Sequence, residues 1–154
     1  MKILVMSDSH GRVANMLSAA SLEEPDVILH LGDNDKDCVD LISLYPDTML
    51  RVVRGNSDFF SAGLDMDEFV LEGKRFFMTH GHLFGVKTGR ARIIDAALHR
   101  NADVLLFGHT HIPYYSVSSS NLIMINPGSI GAGTENYAVL EIKNGAVNVE
   151  LKTL

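Results

Sequence analysis

The sequence predicts an α/β fold in which two β-sheets pack on each other and helices cover their outer faces. Three observations carry this reading. Short apolar runs of strand length recur along the chain. Segments of helical length separate them over the first two-thirds, and beyond residue 112 these segments stop. The 154 residues, 46% hydrophobic and 21% charged, suit one soluble globular domain spanning 1–154 with a real core.

The first strand is Ile3–Met6, and a helix is expected over Val13–Leu22. Val27–Leu31 is the second strand. Asp35–Leu44 comes next as a helix, because acidic residues suit a helix N-terminus. Met49–Val53 is the third strand. Phe69–Leu71 and Arg75–Met78 form a hairpin across Glu72-Gly73-Lys74. Thr88–Arg100 places Ala91, Ile94, Ala97 and Leu98 on one helical face and ends in His99 and Arg100. Val104–Phe107 is a further strand. Such near-continuous apolar strands belong to sheets covered on both faces. Tyr114–Val117, Leu122–Ile125, Tyr137–Ile142 and Val147–Leu151 read as antiparallel strands, with "SSSN" and "KNGA" as turns.

Net charge is −6 and no long basic run occurs, so binding along a nucleic-acid backbone is disfavoured. A small phosphate ester, or a nucleic-acid end, still qualifies as a substrate. Cys38 is the single cysteine, which rules out an internal disulfide and agrees with a cytoplasmic location. The N-terminal apolar run is too short for a signal peptide. No stretch approaches a membrane span.

The residues at the C-terminal ends of the apolar runs point to chemistry. Asp8 and His10 lie just past the first run, Asp33 past the second and Asn56 past the third. His80 and His82 lie past Phe76–Met78, and His109 and His111 past Val104–Phe107. The C-terminal rim of such strands is where α/β proteins bind ligands. Carboxylate and imidazole without thiolate suit manganese, iron, cobalt, nickel or zinc, and are too nitrogen-rich for calcium or magnesium. Seven ligands that include a lone central Asp suggest two ions sharing one carboxylate.

In "DSH" at 8–10, "GD" at 32–33, "GN" at 55–56, "HGH" at 80–82 and "GHTH" at 108–111, the chain resembles the calcineurin-like metallophosphoesterases. "NPGS" at 126–129 extends the likeness. The short length and the "GNSD" form look most like the small bacterial and archaeal phosphodiesterases of that family. The resemblance implies a four-layer α/β/β/α sandwich of two mixed sheets flanked by helices. It also implies two divalent transition-metal ions, manganese first among them. Asp8, His10, Asp33 and His111 would hold one ion, and Asp33, Asn56, His80 and His109 the other. A hydroxide bridging the ions would attack phosphorus in line. Two dications outweigh two carboxylates and one hydroxide, so the implied centre is positive and attracts a phosphoester.

In much of the family a His comes directly after Gly-Asn and protonates the leaving group; here Ser57 stands there, and a neutral hydroxyl is a poor acid. His82 either replaces it or lies behind the ligands. His82 and Asn56 are therefore the candidate catalytic residues. The missing His also sustains a second reading, a non-catalytic, metal-binding protein-interaction scaffold that kept the fold and lost the chemistry, as a eukaryotic retromer subunit resembling this family does. The retained ligand set favours the enzyme. A homodimer is the expected assembly.

Several further residues carry expectations. His30 should be a hydrogen-bonded core histidine, Cys38 a packing residue, and His99 without a catalytic role. Arg12 should face solvent. Arg54 either reaches the site or braces its loop. Asp58 either orients a neighbour or merely turns the chain. Asn126 and Ser129 should support the metal site from below, and Phe59-Phe60 should fill a gap between layers or, alternatively, wall the pocket.

Overall fold

A computed structural model describes residues 1–154. Its elements in chain order are β1 (Lys2–Met6), α1 (Val13–Glu23), β2 (Val27–His30), α2 (Cys38–Leu44), β3 (Met49–Val52), β4 (Met66–Leu71), β5 (Lys74–Thr79), α3 (Ala91–His99), β6 (Val104–Phe107), β7 (Tyr114–Val117), β8 (Ile123–Asn126), β9 (Asn136–Lys143) and β10 (Ala146–Thr153). Short 3₁₀ turns occupy Asp35–Asp37 and His82–Phe84. No helix is long and apolar enough to cross a membrane.

The strands form two five-stranded mixed sheets, in the orders β10-β9-β1-β2-β3 and β4-β5-β6-β8-β7. In the first, β1, β2 and β3 run parallel, and β9 and β10 add on antiparallel. In the second, β5, β6 and β8 run parallel, with antiparallel β4 and β7 at the edges.

Side-chain alternation along the central strands builds the layers. On β1, Ile3 and Val5 point between the sheets, where they meet Phe76, Met78, Val104 and Leu106. Leu4 and Met6 point the other way, onto Met16, Ala19 and Ala20 of α1 and Leu41 of α2. The second sheet repeats this, with Phe77, Leu105 and Phe107 against Ile93 and Ala97 of α3. Three apolar cores separate four layers, helix on sheet on sheet on helix. The expected α/β/β/α sandwich is the fold observed.

Several boundaries move for local reasons. The helix expected over Asp35–Leu44 opens as a 3₁₀ turn, because the Asp37 carboxylate is drawn away to Ser9 Oγ and the Gly11 amide, both at 2.7 Å. The helix expected from Thr88 begins at Ala91; Thr88 instead closes a turn on the Gly85 carbonyl. Its buried residues are Ile93 and Ala97, and Leu98 is exposed. The hairpin strands are longer than expected and close on two residues, Glu72 and Gly73, both at positive φ (48° and 76°), as a tight right-twisted hairpin requires.

Candidate metal centre

The C-terminal ends of β1, β2, β3, β5 and β6 bring their loops to one rim between the sheets. Asp8 lies just past β1 and is fully buried. Its Oδ2 accepts from Ser7 Oγ at 2.5 Å and from the His109 amide at 3.1 Å. Its Oδ1 is buried without a hydrogen bond, 3.0 Å from His111 Nε2 and 3.9 Å from His80 Nε2. His10 Nε2 stands 3.5 Å from His111 Nε2. The ligand atoms of Asp8, His10 and His111 all lie within 4.8 Å of one another.

A second group joins Asp33, His80 and His109 within the same limit. His80 Nδ1 donates to the Leu31 carbonyl at 2.8 Å, a bond from one sheet to the other. That leaves Nε2 with only a lone pair, as metal-binding imidazoles require. Around this lone pair stand Asn56 Oδ1 at 3.1 Å, His109 Nδ1 at 3.1 Å and Asp33 Oδ1 at 3.5 Å. Asp8 Oδ1 adds an orphaned carboxylate oxygen to these potential ligands. A cation satisfies such a set. Imidazole with carboxylate fits a borderline transition ion. The expected shared carboxylate, Asp33, groups with His80 and His109; Asp8 Oδ1 is the oxygen that faces His111 and His80 together.

The loops are conformationally demanding. Asp8, His10, Asp33, His109 and His111 all hold positive φ, from 45° to 68°. A side chain in this left-handed region costs about 1–2 kcal/mol. Contacts around each loop hold it there. A Cβ on Gly55 would overlap the Asp33 carboxylate, and one on Gly108 would overlap Ser7. Asp58 accepts four backbone amides, from Asp33, Asn34, Asp35 and Gly55, at 2.7–3.1 Å. Below the site, Ser129 Oγ donates to the Asp8 carbonyl at 2.8 Å. Asn126 Nδ2 donates to the Gly108 carbonyl at 2.8 Å and to Thr110 Oγ1 at 3.0 Å. "NPGS" is thus the expected underpinning.

Local fields shift the titration of several of these side chains. Burial raises the Asp33 carboxyl, but the Ser57 amide at 2.9 Å and the neighbouring His80 bring it net below its ordinary value. Burial, then His80 and Lys87, push His109 down to about 4. Burial and His80 lower His82 as well. The His82 ring centroid lies 5.4 Å from that of His80 and 6.1 Å from that of His109, and its buried Nδ1 has no partner.

Outside the centre, His30 is fully buried on β2 and accepts the Gly32 amide at 3.3 Å. Cys38 packs against the first sheet, His99 is solvent-exposed, and so is Arg12. Arg54 braces its loop, clamping Asp65 at 2.6 and 3.1 Å. Phe59 and Phe60 fill no gap between layers: they are 82% and 104% exposed, because the loop after Asn56 swings to the surface. Sequence reasoning misses the anchoring roles of Asp37 and Ser7. Ser7 beside Asp8 carries no sequence signal. Asp37 offers only its place among acidic residues before α2.

A family model described as the calcineurin-like phosphoesterase superfamily domain matches residues 1–145. A probable metallophosphoesterase, YsnB, of Bacillus subtilis is 38% identical over 157 residues, covering 97% of this chain and 89% of that one. The phosphodiesterase YfcE of Escherichia coli K12 is 35% identical over 101 residues, covering 58% of this chain and 50% of that one. Among solved structures, Vps29 of Entamoeba histolytica in complex with Zn²⁺ superposes with a TM-score of 0.77, covering 99% of this chain and 98% of that one. At 19% identity that last likeness shows the fold alone.

Proposed function

The chain belongs to the calcineurin-like phosphoesterase superfamily, and from that membership we propose that it is a metal-dependent phosphodiesterase acting on small phosphoesters. One observation carries the reading: the side chains of Asp8, His10 and His111, and those of Asp33, His80 and His109, gather in two groups of potential ligands, with Asp8 Oδ1 buried and unpartnered. The phosphodiesterase name of the YfcE relative and the "GNSD" form support the diester.

Asp8, His10 and His111 would hold one divalent ion and Asn56, His80 and His109 a second, with Asp33 shared. Manganese is the first candidate, then nickel, iron, cobalt and zinc. Bound ions of this kind supply positive charge to a phosphoryl group and make water nucleophilic near neutral pH.

The chain's own groups prepare that chemistry. Asp33 is held ionised, and the Leu31 carbonyl fixes His80 with its Nε2 lone pair inward. His109 stays unprotonated down to about pH 4. Water oxygen attacks phosphorus opposite the departing oxygen, and no covalent bond to the protein forms. The departing oxygen takes its proton from His82, on the same rim, or from water; Ser57 instead turns its amide to Asp33.

The test is metal analysis of purified protein, then hydrolysis of bis(p-nitrophenyl) phosphate after Mn²⁺ loading, with Asp33→Ala as the blank. Bound metal and turnover that Asp33→Ala abolishes are expected. A wild-type protein that takes up no Mn²⁺ or Ni²⁺ and shows no turnover overturns the reading and leaves the scaffold.

A further inference from the structure

Beside the "GHTH" loop a pocket of about 270 Å³ opens, lined by Val86, Lys87, Arg90, Thr110, Ile112 and Tyr114, with Phe107 at its base. Two of its lining residues are chain neighbours of the candidate ligands or touch their loop. Thr110 lies between His109 and His111 in the chain, and the Val86 side chain rests on Gly81, between His80 and His82.

The lining is unusual for a chain of net charge −6: it holds two cations and no carboxylate. The Arg90 guanidinium lies over the Tyr114 ring, 4.0 Å from its centroid. This stacking orients its planar face and leaves its edge N–H groups free. Thr110 Oγ1 is fixed by Asn126 and stands at the junction with the centre. A guanidinium edge, an ammonium and a hydroxyl on one wall are the donor set for a phosphate. Ile112 and Tyr114 offer apolar surface to whatever links that phosphate to the scissile ester.

We propose that this pocket is a second phosphate subsite, and that the preferred substrates are phosphodiesters with one arm carrying a further phosphate group. The substrate claim rests on the phosphodiesterase reading; the subsite itself does not.

Two measurements separate them. The first is calorimetric titration of metal-free protein with thymidine 3′,5′-bisphosphate. Wild-type protein should bind it, and Arg90→Gln or Lys87→Gln should each weaken binding about tenfold, the size of one charge-assisted hydrogen bond. Both positions are solvent-exposed, so the variants keep the fold. No binding by wild type, or unchanged affinity in both variants, overturns the subsite. The second compares kcat/KM of Mn²⁺-loaded protein on the p-nitrophenyl ester of thymidine 5′-phosphate with and without a 3′-phosphate. The 3′-phosphorylated ester should be preferred, and Arg90→Gln should reduce that preference about tenfold. Equal kcat/KM on the two overturns the substrate claim while the phosphodiesterase reading stands. Hydrolysis of neither counts against the phosphodiesterase reading and the substrate claim together, and the titration then decides the subsite.

Discussion

Asp58 Oδ2 accepts the amide of Asp33 at 3.0 Å and that of Gly55 at 2.7 Å, so one oxygen ties the loop after β2 to the loop after β3. Oδ1 takes the amides of Asn34 and Asp35 at 2.8 and 3.1 Å. Neither loop has a strand or helix to satisfy these N–H groups.

Asp58→Ala should therefore strand four amides and release the turn that presents Asp33 and Asn56. Denaturant unfolding should show a loss of about 2–4 kcal/mol. Mn²⁺ titration should show affinity reduced about 10- to 100-fold. Asp58→Asn, with one acceptor oxygen left, should fall between. Wild-type affinity in Asp58→Ala would mean that the loops are held by other contacts.

His30 predicts a pH dependence of stability. Burial pushes it from 6.5 down to about 4. Between those values the unfolded chain carries a proton that the folded chain refuses, so stability is full above pH 6.5 and is lost as pH falls toward 4. The difference corresponds to ~3 kcal/mol. His109, also at about 4, acts in the same direction. Replacing the buried imidazole in His30→Met should make the variant gain on wild type across this window. Parallel stability-versus-pH curves would assign the dependence to other groups.

The proton-delivery role of His82 is tested by the leaving group. His82→Ala should slow diesters with alkyl leaving groups about 100-fold, because an alkoxide needs the proton. Nitrophenyl esters, whose leaving group departs unprotonated, should lose far less. An equal loss on both would place His82 behind the ligands as a support.

Much of this cluster is legible in the sequence because carboxylate, amide and imidazole side chains at the ends of apolar strands stand out by type. Asp8, His10, Asp33, Asn56, His80, His109 and His111 announce themselves by type and place. The layers are legible for a related reason: strands covered on both faces must be apolar throughout, as Ile3–Met6 is. The supports are not. Asp58 reads as an ordinary turn residue, since nothing local reveals that four amides from two loops will converge on it. Phe59 and Phe60 mislead because bulky apolar side chains usually pack; here the loop geometry carries them outward. The Lys87–Arg90 wall is invisible because residues 87, 90, 110 and 114 meet only after the chain crosses α3 and β6.

The left-handed backbone at His10 and His111 makes the outer edge of this rim easy to erode. Glycine relaxes in that conformation, so exchanging either outward-lying histidine for it would leave the folded chain about as robust as before. A descendant released from selection for reactivity would meet little folding barrier to discarding these two side chains, whereas Asp8 and Asp33 also hold neighbouring amides and are tied to the architecture.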